Sequence, residues 1–277
     1  MQPEEALLGA AAEALGPCRL GADLSWDHGE SVVREVVAAD GTVRIGKAHR
    51  RATKFAAELH AYRSWVPVLE PWAPRLLAAD EPNQVMILTK VPGQPVPDDG
   101  DAAIHRSAGG LLRRLHDAVP AMPGGGYVEA ERRRLESWLE RARPGLLTER
   151  EVTVARHAVE FLASAPDPVL VPCHCDWQPR NWLVDDARSV HVIDFEQARL
   201  WPWWADIIRL WWSEWARHPE FAEAFFAGYG RTLGQTERRC LQAASAVSHL
   251  VTIVWADEHH DPAYGATART HLGTIDC

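Results

Sequence analysis

The stretch HCDWQPRN, His174 to Asn181, and the DFE at Asp194 to Glu196 decide how this chain is interpreted. Within the first stretch Asp176 and Asn181 stand five residues apart, and Asp194 directly follows the apolar run VHVI. A solvated turn followed by an ordinary strand end would explain any one of these residues, but not their order and spacing together. We expect NWLVDD and VHVIDF to form short strands that return Asp194 beside the loop.

Phosphoryl transfer gives this spacing a chemical reason. The reaction requires a carboxylate at the attacking hydroxyl, oxygen ligands for Mg²⁺ and a cation on the nucleotide phosphates. Asp176 is the candidate catalytic carboxylate. Asn181 and Asp194 carry the hard oxygen atoms that suit Mg²⁺ bridging the phosphates. The two motifs together therefore predict three convergent oxygen-bearing side chains in a phosphoryl-transfer site.

HCDWQPRN aligns without gaps to the catalytic loop of the protein kinase superfamily, and IDFE takes the place of its metal-binding aspartate segment. LLRRLH (111–116) and DIIRLWW (206–212) also have counterparts in the aminoglycoside phosphotransferase branch, which includes antibiotic kinases and relatives of choline kinase. Over residues 25–256 the chain resembles this branch. The resemblance implies an α+β, bilobal, protein kinase-like fold, with a β-rich nucleotide-binding lobe at 1–92 and a mainly helical lobe at 93–277.

The resemblance also implies roles for individual residues. A strand lysine on the nucleotide phosphates, held by a helix glutamate, corresponds to Lys47 and Glu58, although Lys54 lies one helical turn before Glu58 and is a rival partner. Backbone groups near Leu88 to Val91 are expected to bind the base of ATP or GTP, and Ser31 to lie at the phosphates. Further residues are expected to support the site structurally, namely His174, Asp206 and Arg209.

The sequence departs from the family pattern at two places. It has no G-x-G-x-x-G before the first hairpin, and WDHGES (26–31) offers only Gly29 and Ser31 as a phosphate cover. Cys175 stands where the branch usually has glycine, which leaves the local backbone geometry open.

The acceptor is expected to be a small hydroxylated molecule, and an antibiotic-like, cationic natural product fits best. Acidic side chains in the helical lobe are the candidate acceptor contacts, although a solvated helix end explains each of them alone: Glu214, Asp257, Glu258 and Asp261. The alternatives are a metabolic kinase of choline, sugar or amino-acid type and a kinase-like module that binds ligand without turnover. Both metal ligands and a hydroxyl-facing aspartate are present, which favours an enzyme.

Composition sets limits on partners and location. Among 277 residues there are 29 Lys and Arg against 38 Asp and Glu, and this net charge of -9 argues against nucleic acid or an anionic membrane surface as the main partner. The acidic first residues carry no basic leader, and the five scattered cysteines fit a reduced compartment, so a cytoplasmic location is expected. Adjacent Cys173, His174 and Cys175 do not have zinc spacing. No feature of the sequence predicts an oligomeric state.

Hydrophobic periodicity predicts the elements. After an N-terminal helix we expect a hairpin at 31–38 and 42–47, a helix at 49–65 and strands at 75–80 and 84–90. Prolines and Asp98, Asp99 and Asp101 indicate a linker, and Gly124 to Gly126 a turn. Helices are predicted at 102–118, 128–142, 148–164, 202–216, 219–229 and 235–256. The tryptophan-rich segment at 202–216 is expected to be a core-facing helix, because Asp206, Arg209 and Glu214 interrupt it.

Overall fold

The computed structural model of the chain describes residues 2–26, 29, 31–97 and 100–275. They form two compact units, each assembled from separate stretches of chain. The first unit contains residues 1–120, 172–200 and 218–230, and the second contains 121–171, 201–217 and 231–277. The predicted lobe boundary after residue 92 is defined by ligand binding and stays a prediction. Asp98 and Asp99 of the expected linker lie outside the described residues.

The first unit is built on a five-stranded sheet with strand order β1-β2-β3-β5-β4. Its strands are β1 (Cys18–Asp23), β2 (Ser31–Ala38), β3 (Val43–His49), β4 (Leu76–Asp80) and β5 (Val85–Thr89). Neighbouring strands are antiparallel, and Lys47 of β3 lies opposite Val33 of β2 and Met86 of β5. Central β5 is buried over four of its five residues. Lys47 is therefore fixed on a central strand pair.

The remaining described strands are short. They are β6 (Gln94–Pro95), β7 (Met122–Pro123), β8 (Val169–Cys173), β9 (Trp182–Val184), β10 (Val190–Val192) and β11 (Arg199–Pro202). β9 and β10 form an antiparallel hairpin in which Trp182 lies opposite Val192. This hairpin confirms the two short strands expected between the catalytic loop and the DFE segment.

Helices make up most of the chain after residue 100. The described α-helices are α1 (Pro3–Leu15), α2 (Ala52–Ser64), α3 (Ala102–His116), α4 (Tyr127–Arg141), α5 (Glu149–Ser164), α6 (Ile208–Trp212), α7 (Glu214–Arg217), α8 (Pro219–Tyr229), α9 (Gln235–Glu258) and α10 (Pro262–Gly273). A sheet-containing N-terminal region followed by a largely helical C-terminal region confirms the predicted α+β class. Within the described part of the chain, no helix has both the length and the apolar character required to cross a membrane.

Helix α1 covers the first sheet. Its Leu7 and Ala11 are fully buried in a cluster that also contains Val36 of β2 and Ile87 of β5. A Cβ atom at Gly46 would lie 2.5 Å from Cδ2 of Leu7, so the glycine on β3 lets the leucine pack directly on the strand. The result is an apolar core beneath the strand that carries Lys47.

Helices α3 and α8 cross at very close range within the first unit. A Cβ atom at Gly109 would lie 2.2 Å from the carbonyl oxygen of Phe225, and one at Gly228 would lie 1.9 Å from that of Arg106. Real side chains never approach a backbone so closely. The two glycines therefore allow the helix backbones to touch, and they bring residues 218–230 back to the first unit.

The continuous helix predicted at 202–216 is wrong. The segment instead begins at the end of β11, continues as a 3₁₀ helix (Trp203–Ile207), and is then split into α6 and α7 at Ser213. Trp203, Trp204 and Ile207 are all buried, so the segment faces the core as expected. Helical periodicity marked the apolar positions, but the backbone leaves helical geometry at Ser213, where φ is -110° and ψ is -92°.

Strand β1 and helix α10 are among the elements that were not predicted. Strand β1 alternates apolar residues with polar residues or glycine over CRLGAD, but it is only six residues long, and it pairs with β2. Helix α10 begins at Pro262, and the side chain of Asp261 accepts a hydrogen bond from the backbone N–H of Tyr264 at its first turn. Asp261, a candidate acceptor contact, is therefore the N-terminal cap of this helix.

Candidate active site

The β9–β10 hairpin places Asn181 and Asp194 beside each other. Asn181 directly precedes β9, and Ile193 directly follows β10. The backbone N–H of Ile193 donates to the carbonyl oxygen of Asn181 at 3.1 Å, which continues the ladder by one step. Asp194 is the next residue. The two predicted metal ligands therefore lie at the same open end of one hairpin, on opposite strands.

Three side-chain donors hold the carboxylate of Asp176. Gln178 Nε2 donates to Oδ1 at 2.6 Å, while Asn181 Nδ2 at 2.8 Å and Arg180 at 2.7 Å both donate to Oδ2. Asn181 Nδ2 also lies 2.8 Å from the carbonyl oxygen of Asp176. The loop thus folds on itself through a short 3₁₀ turn at Pro179–Asn181, which fixes the orientation of the Asp176 side chain.

Two residues of the site have left-handed backbone conformations. Cys175 has a φ of 62° and Asp194 a φ of 68°. A side chain in this region costs roughly 1–2 kcal/mol relative to the ordinary helical region, and glycine avoids that cost. Cys175 therefore adopts the conformation for which glycine is suited, and this answers the question left open by its replacement of the usual glycine.

Lys47 lies among three carboxylates of the first unit. Its Nζ atom is 2.8 Å from Oε2 of Glu58, 2.7 Å from Oδ1 of Asp194 and 3.3 Å from Oε2 of Glu196. The lysine and Glu58 are both buried. The ion pair expected between strand and helix is thus present, and it also contacts the candidate metal ligand.

Burial and charge act in opposite directions on these groups. Burial lowers the pKa of Lys47, but Asp194, Glu58 and Glu196 outweigh it and raise the pKa well above its usual value. Burial raises the pKa of Glu58, but Lys47 and His49 outweigh it and lower the pKa to about 2. For Glu196 burial prevails, and its pKa is raised despite Lys47. Lys47 and Glu58 are therefore charged at neutral pH.

Glu58 has two partners that the sequence did not predict. Its Oε2 lies 2.6 Å from Nε2 of His49, the last residue of β3, and its Oε1 accepts from the backbone N–H of Phe195 at 3.2 Å. Glu196 is a further unpredicted member of the Lys47 cluster. Residues two positions apart on a strand lie on the same face of the sheet. The spacing of Lys47 and His49 therefore indicated that both could contact Glu58.

His174 braces the segment that carries Asp194. Its Nε2 lies 3.0 Å from the carbonyl oxygen of Ile193, so this nitrogen bears the hydrogen and donates. Its ring also contacts Phe195, with the ring centroids 4.7 Å apart. The geometry fits the structural role that the resemblance implied for this histidine.

The other expected nucleotide residues also belong to the first unit. Ser31 begins β2 opposite His49 and is buried. Leu88 lies on β5 and Val91 two residues beyond its end, and both are buried. Their assignment to nucleotide binding stays a prediction. Of the expected phosphate cover at WDHGES, Asp27, His28 and Glu30 lie outside the described residues.

The expected supporting and acceptor residues of the helical lobe belong to the second unit. Asp206 is buried in the 3₁₀ helix, and Glu214 is buried in α7. Arg209 of α6 donates to the hydroxyl of Tyr264 of α10, which is a bracing contact inside this unit. The supporting role of Asp206 and the acceptor contact of Glu214 stay predictions.

The acidic residues at the end of α9 are paired with arginines that follow or end α4. Asp257 Oδ2 lies 2.8 Å from Nε of Arg143, and Glu258 accepts from Nε of Arg141 at 3.0 Å. Asp261 caps α10. These carboxylates are therefore engaged within the second unit, and their negative charge is largely balanced where it stands.

The donor set at the hairpin end suits Mg²⁺. The Asn181 side chain donates both of its described hydrogen bonds through Nδ2, which leaves Oδ1 as the amide atom that can bind a cation. The Asp194 carboxylate is partly exposed and lies on Lys47. A carboxylate and an amide oxygen are hard ligands, so these two residues fit the metal that the sequence predicts.

The structure is similar to those of several phosphotransferases and kinases. A macrolide 2'-phosphotransferase from Brachybacterium faecium shares 20% identity, with 99% of this chain and 98% of that chain covered and a TM-score of 0.64. A choline/ethanolamine kinase family protein from Mesorhizobium loti shares 19%, with 99% and 94% covered and a TM-score of 0.69. The GDP complex of aminoglycoside 2'-phosphotransferase-IIIa shares 15%, with 99% and 98% covered and a TM-score of 0.70.

At these identities the similarity establishes a shared fold, which is the kinase-like α+β fold that the motifs predicted. No curated protein sequence matches the chain. The model of the phosphotransferase enzyme family matches residues 24–242, which include the catalytic loop, the DFE segment and the Lys47–Glu58 pair. The chain therefore belongs to the phosphotransferase enzyme family.

Proposed function

We propose that this enzyme transfers the γ-phosphoryl group of ATP or GTP to a hydroxyl group of a small molecule. The observation that carries the proposal is the meeting of four side chains in the first unit. Asp176 is bonded to Asn181, Asn181 is joined through the hairpin to Asp194, and Asp194 is paired with Lys47. A structural salt bridge alone would not require this combination of a base, two hard ligands and a phosphate-binding cation.

Each residue has one task in this scheme. Asp176 accepts the proton of the acceptor hydroxyl as the new oxygen–phosphorus bond forms. The bond from the γ-phosphorus to the bridging oxygen of the nucleotide breaks, and the nucleoside diphosphate leaves. Lys47, held in place by Glu58, binds the phosphates of the nucleotide. Bound between Asn181 and Asp194, Mg²⁺ would neutralise phosphate charge.

For the acceptor we infer a hydroxylated antibiotic-like molecule, and a cationic one fits the net charge of -9. Because Asp257 and Glu258 are paired with arginines, a preference for cationic acceptors has a different source. It would come from the overall field rather than from these two side chains, so it would be modest and sensitive to salt. The similarity to a choline/ethanolamine kinase family protein supports a metabolic amino alcohol as the second candidate.

Turnover with ATP and with GTP across macrolides, aminoglycosides, spectinomycin and amino alcohols tests the proposal. Asp176→Asn should lower kcat by on the order of a hundredfold or more while leaving nucleotide affinity unchanged, because only the oriented proton acceptor is lost. Asp186→Asn is the matched control, since it neutralises an exposed carboxylate in the turn of the β9–β10 hairpin. Equal kcat in the two variants would refute the role of Asp176.

Nucleotide binding without turnover of any acceptor would favour the ligand-binding module instead. Calorimetry separates the two cases. Asp194→Ala should abolish Mg²⁺-dependent nucleotide binding in either case, because the cation loses its carboxylate ligand.

A further inference from the structure

Arg180 is a charged residue of the catalytic loop to which the proposed function gives no task. Its guanidinium donates to Oδ2 of Asp176 at 2.7 Å and also lies over the ring of Trp26, 4.9 Å from the ring centroid. About half of the Arg180 side chain is exposed, at 49%, whereas that of Asp176 is 7% exposed. A half-exposed cation therefore lies on a buried carboxylate.

An arginine at this position is unexpected if its only purpose is to hold Asp176. Two neutral amides, from Gln178 and Asn181, already orient the carboxylate. Both oxygens of Asp176 are occupied by these amides and by Arg180, and the acceptor hydroxyl needs one of them. Arg180 would have to leave or share Asp176 when the acceptor hydroxyl arrives. A second binding partner for the guanidinium would make that exchange favourable.

Distance identifies this partner. The attacking hydroxyl oxygen must lie about 3 Å from the Asp176 carboxylate and about 3–3.5 Å from the phosphorus atom. The phosphoryl oxygens then fall within about 6 Å of the carboxylate that Arg180 already contacts. A guanidinium presents five N–H donors in a planar fork that matches phosphate oxygens. A small rotation of the Arg180 side chain is therefore enough to reach them.

The charges of the site favour the same exchange. Four carboxylates meet there, those of Asp176, Asp194, Glu58 and Glu196, and Lys47 is bonded to the last three of them. The triphosphate of the nucleotide adds further negative charge. Arg180 is a second cation of this cluster, and it stands on the Asp176 side, whereas Lys47 contacts Glu58, Asp194 and Glu196. The γ-phosphoryl group is the part of the nucleotide nearest to that side.

We propose that Arg180 binds the γ-phosphoryl group of the nucleotide, moving to it from Asp176 as the acceptor hydroxyl takes the arginine's place on the carboxylate. Trp26, which lies between β1 and β2, serves as the surface along which the guanidinium moves. This inference rests on the proposed function, because it requires a nucleotide in the first unit. It adds a contact that discriminates a triphosphate from a diphosphate.

Calorimetry with two magnesium-bound probes tests the proposal without an acceptor. The probes are the β,γ-imido triphosphate and the diphosphate of the same nucleoside. Arg180→Gln should weaken binding of the triphosphate about tenfold or more and binding of the diphosphate less than twofold, because only the former carries the γ-phosphoryl group. Arg180→Lys keeps the charge without the planar fork and should fall between wild type and Arg180→Gln.

Trp26→Leu should produce the same selective loss at a smaller size, about threefold, and the double variant should lose little more than Arg180→Gln alone. Arg188→Gln is the matched control. It removes Arg188, which lies in the turn of the β9–β10 hairpin and pairs with Asp101, and it should leave the affinities for both probes unchanged. Far-ultraviolet circular dichroism checks folding, and Arg180→Lys carries the comparison if the glutamine variant is unfolded.

Each result decides a different point. If wild type binds both probes and Arg180→Gln changes neither affinity, or lowers both equally, Arg180 does not contact the γ-phosphoryl group while the proposed function stands. If wild type binds no probe of the adenosine or guanosine series, the proposed function fails and this inference fails with it. Where turnover is measurable, Arg180→Gln should lower kcat by about tenfold or more, and the Arg188→Gln control should retain it.

Discussion

Replacing Glu58 by glutamine tests whether the Lys47 cluster stabilises the fold as well as the site. The side chain is fully buried and accepts from Lys47 at 2.8 Å, from His49 at 2.6 Å and from the backbone of Phe195 at 3.2 Å. Glutamine has nearly the same shape but no charge, and its Nε2 cannot accept a hydrogen bond. The substitution therefore removes charge and one acceptor without creating a cavity.

The size of the effect follows from what Lys47 retains. Removing one member of a buried ion pair costs about 3–5 kcal/mol when the other charge is left alone. Here Asp194 and Glu196 still contact the lysine, at 2.7 Å and 3.3 Å, so the lower end, about 3 kcal/mol, is expected. The nucleotide KM should rise as well, because Lys47 is no longer held towards the phosphates.

Urea unfolding at pH 7, followed by tryptophan fluorescence, measures the loss in the free energy of unfolding. Glu81→Gln is the control, since it removes an exposed partner of Arg63 and should cost no more than about 0.5 kcal/mol. The pKa of Glu58 is lowered from 4.5 to about 2, so its contribution is present above pH 4.5 and is lost as the pH falls towards 2. The difference between wild type and variant should shrink over the same interval. A loss below about 1 kcal/mol at pH 7 would refute the reasoning.

Two further predictions concern stability. Burial, with the nearby charges of His271 and Arg209, lowers the pKa of His249 from 6.5 to about 3. Because the unfolded chain binds the proton first, stability should fall as the pH drops below 6.5, by about 2 kcal/mol at pH 5. His249→Phe should remove this slope in urea titrations at pH 7 and pH 5, and an unchanged slope would contradict the assignment. Cys175→Gly should preserve stability or raise it by up to about 1 kcal/mol, since the φ of 62° suits glycine, whereas Cys175→Val should lower the Tm; calorimetric scans in which both variants lose equally would exclude strain at this residue.

Local patterns in the sequence were sufficient to predict the helices and strands that form from neighbouring residues. The spacing of Asp176, Asn181 and Asp194 predicted a hairpin that returns the last of them to the loop, and the structure contains it. The strand and helix that carry Lys47 and Glu58 were predicted for the same reason. Apolar alternation and helical periodicity record which side of each element is buried.

Contacts between distant segments were not predictable in this way. The sequence offers Arg180 a partner only within its own loop. Its guanidinium nevertheless lies over the ring of Trp26, far earlier in the chain. No sequence pattern gave Glu196 a role, and its contact with Lys47 depends on how the sheet and hairpin meet. Likewise the segment at 202–216 was predicted as one helix, because periodicity marks apolar positions without showing where the backbone leaves helical geometry.

The crossing of α3 and α8 at Gly109 and Gly228 has a consequence for synthesis of the chain. The first unit is complete only when residues 218–230 have left the ribosome, because α8 supplies the surface against which α3 packs. Until then the apolar face of α3, which includes Leu112, stays uncovered in the nascent protein. A stop codon shortly after the DFE segment would therefore release a chain that has every proposed catalytic residue and yet exposes a helix face prone to aggregation.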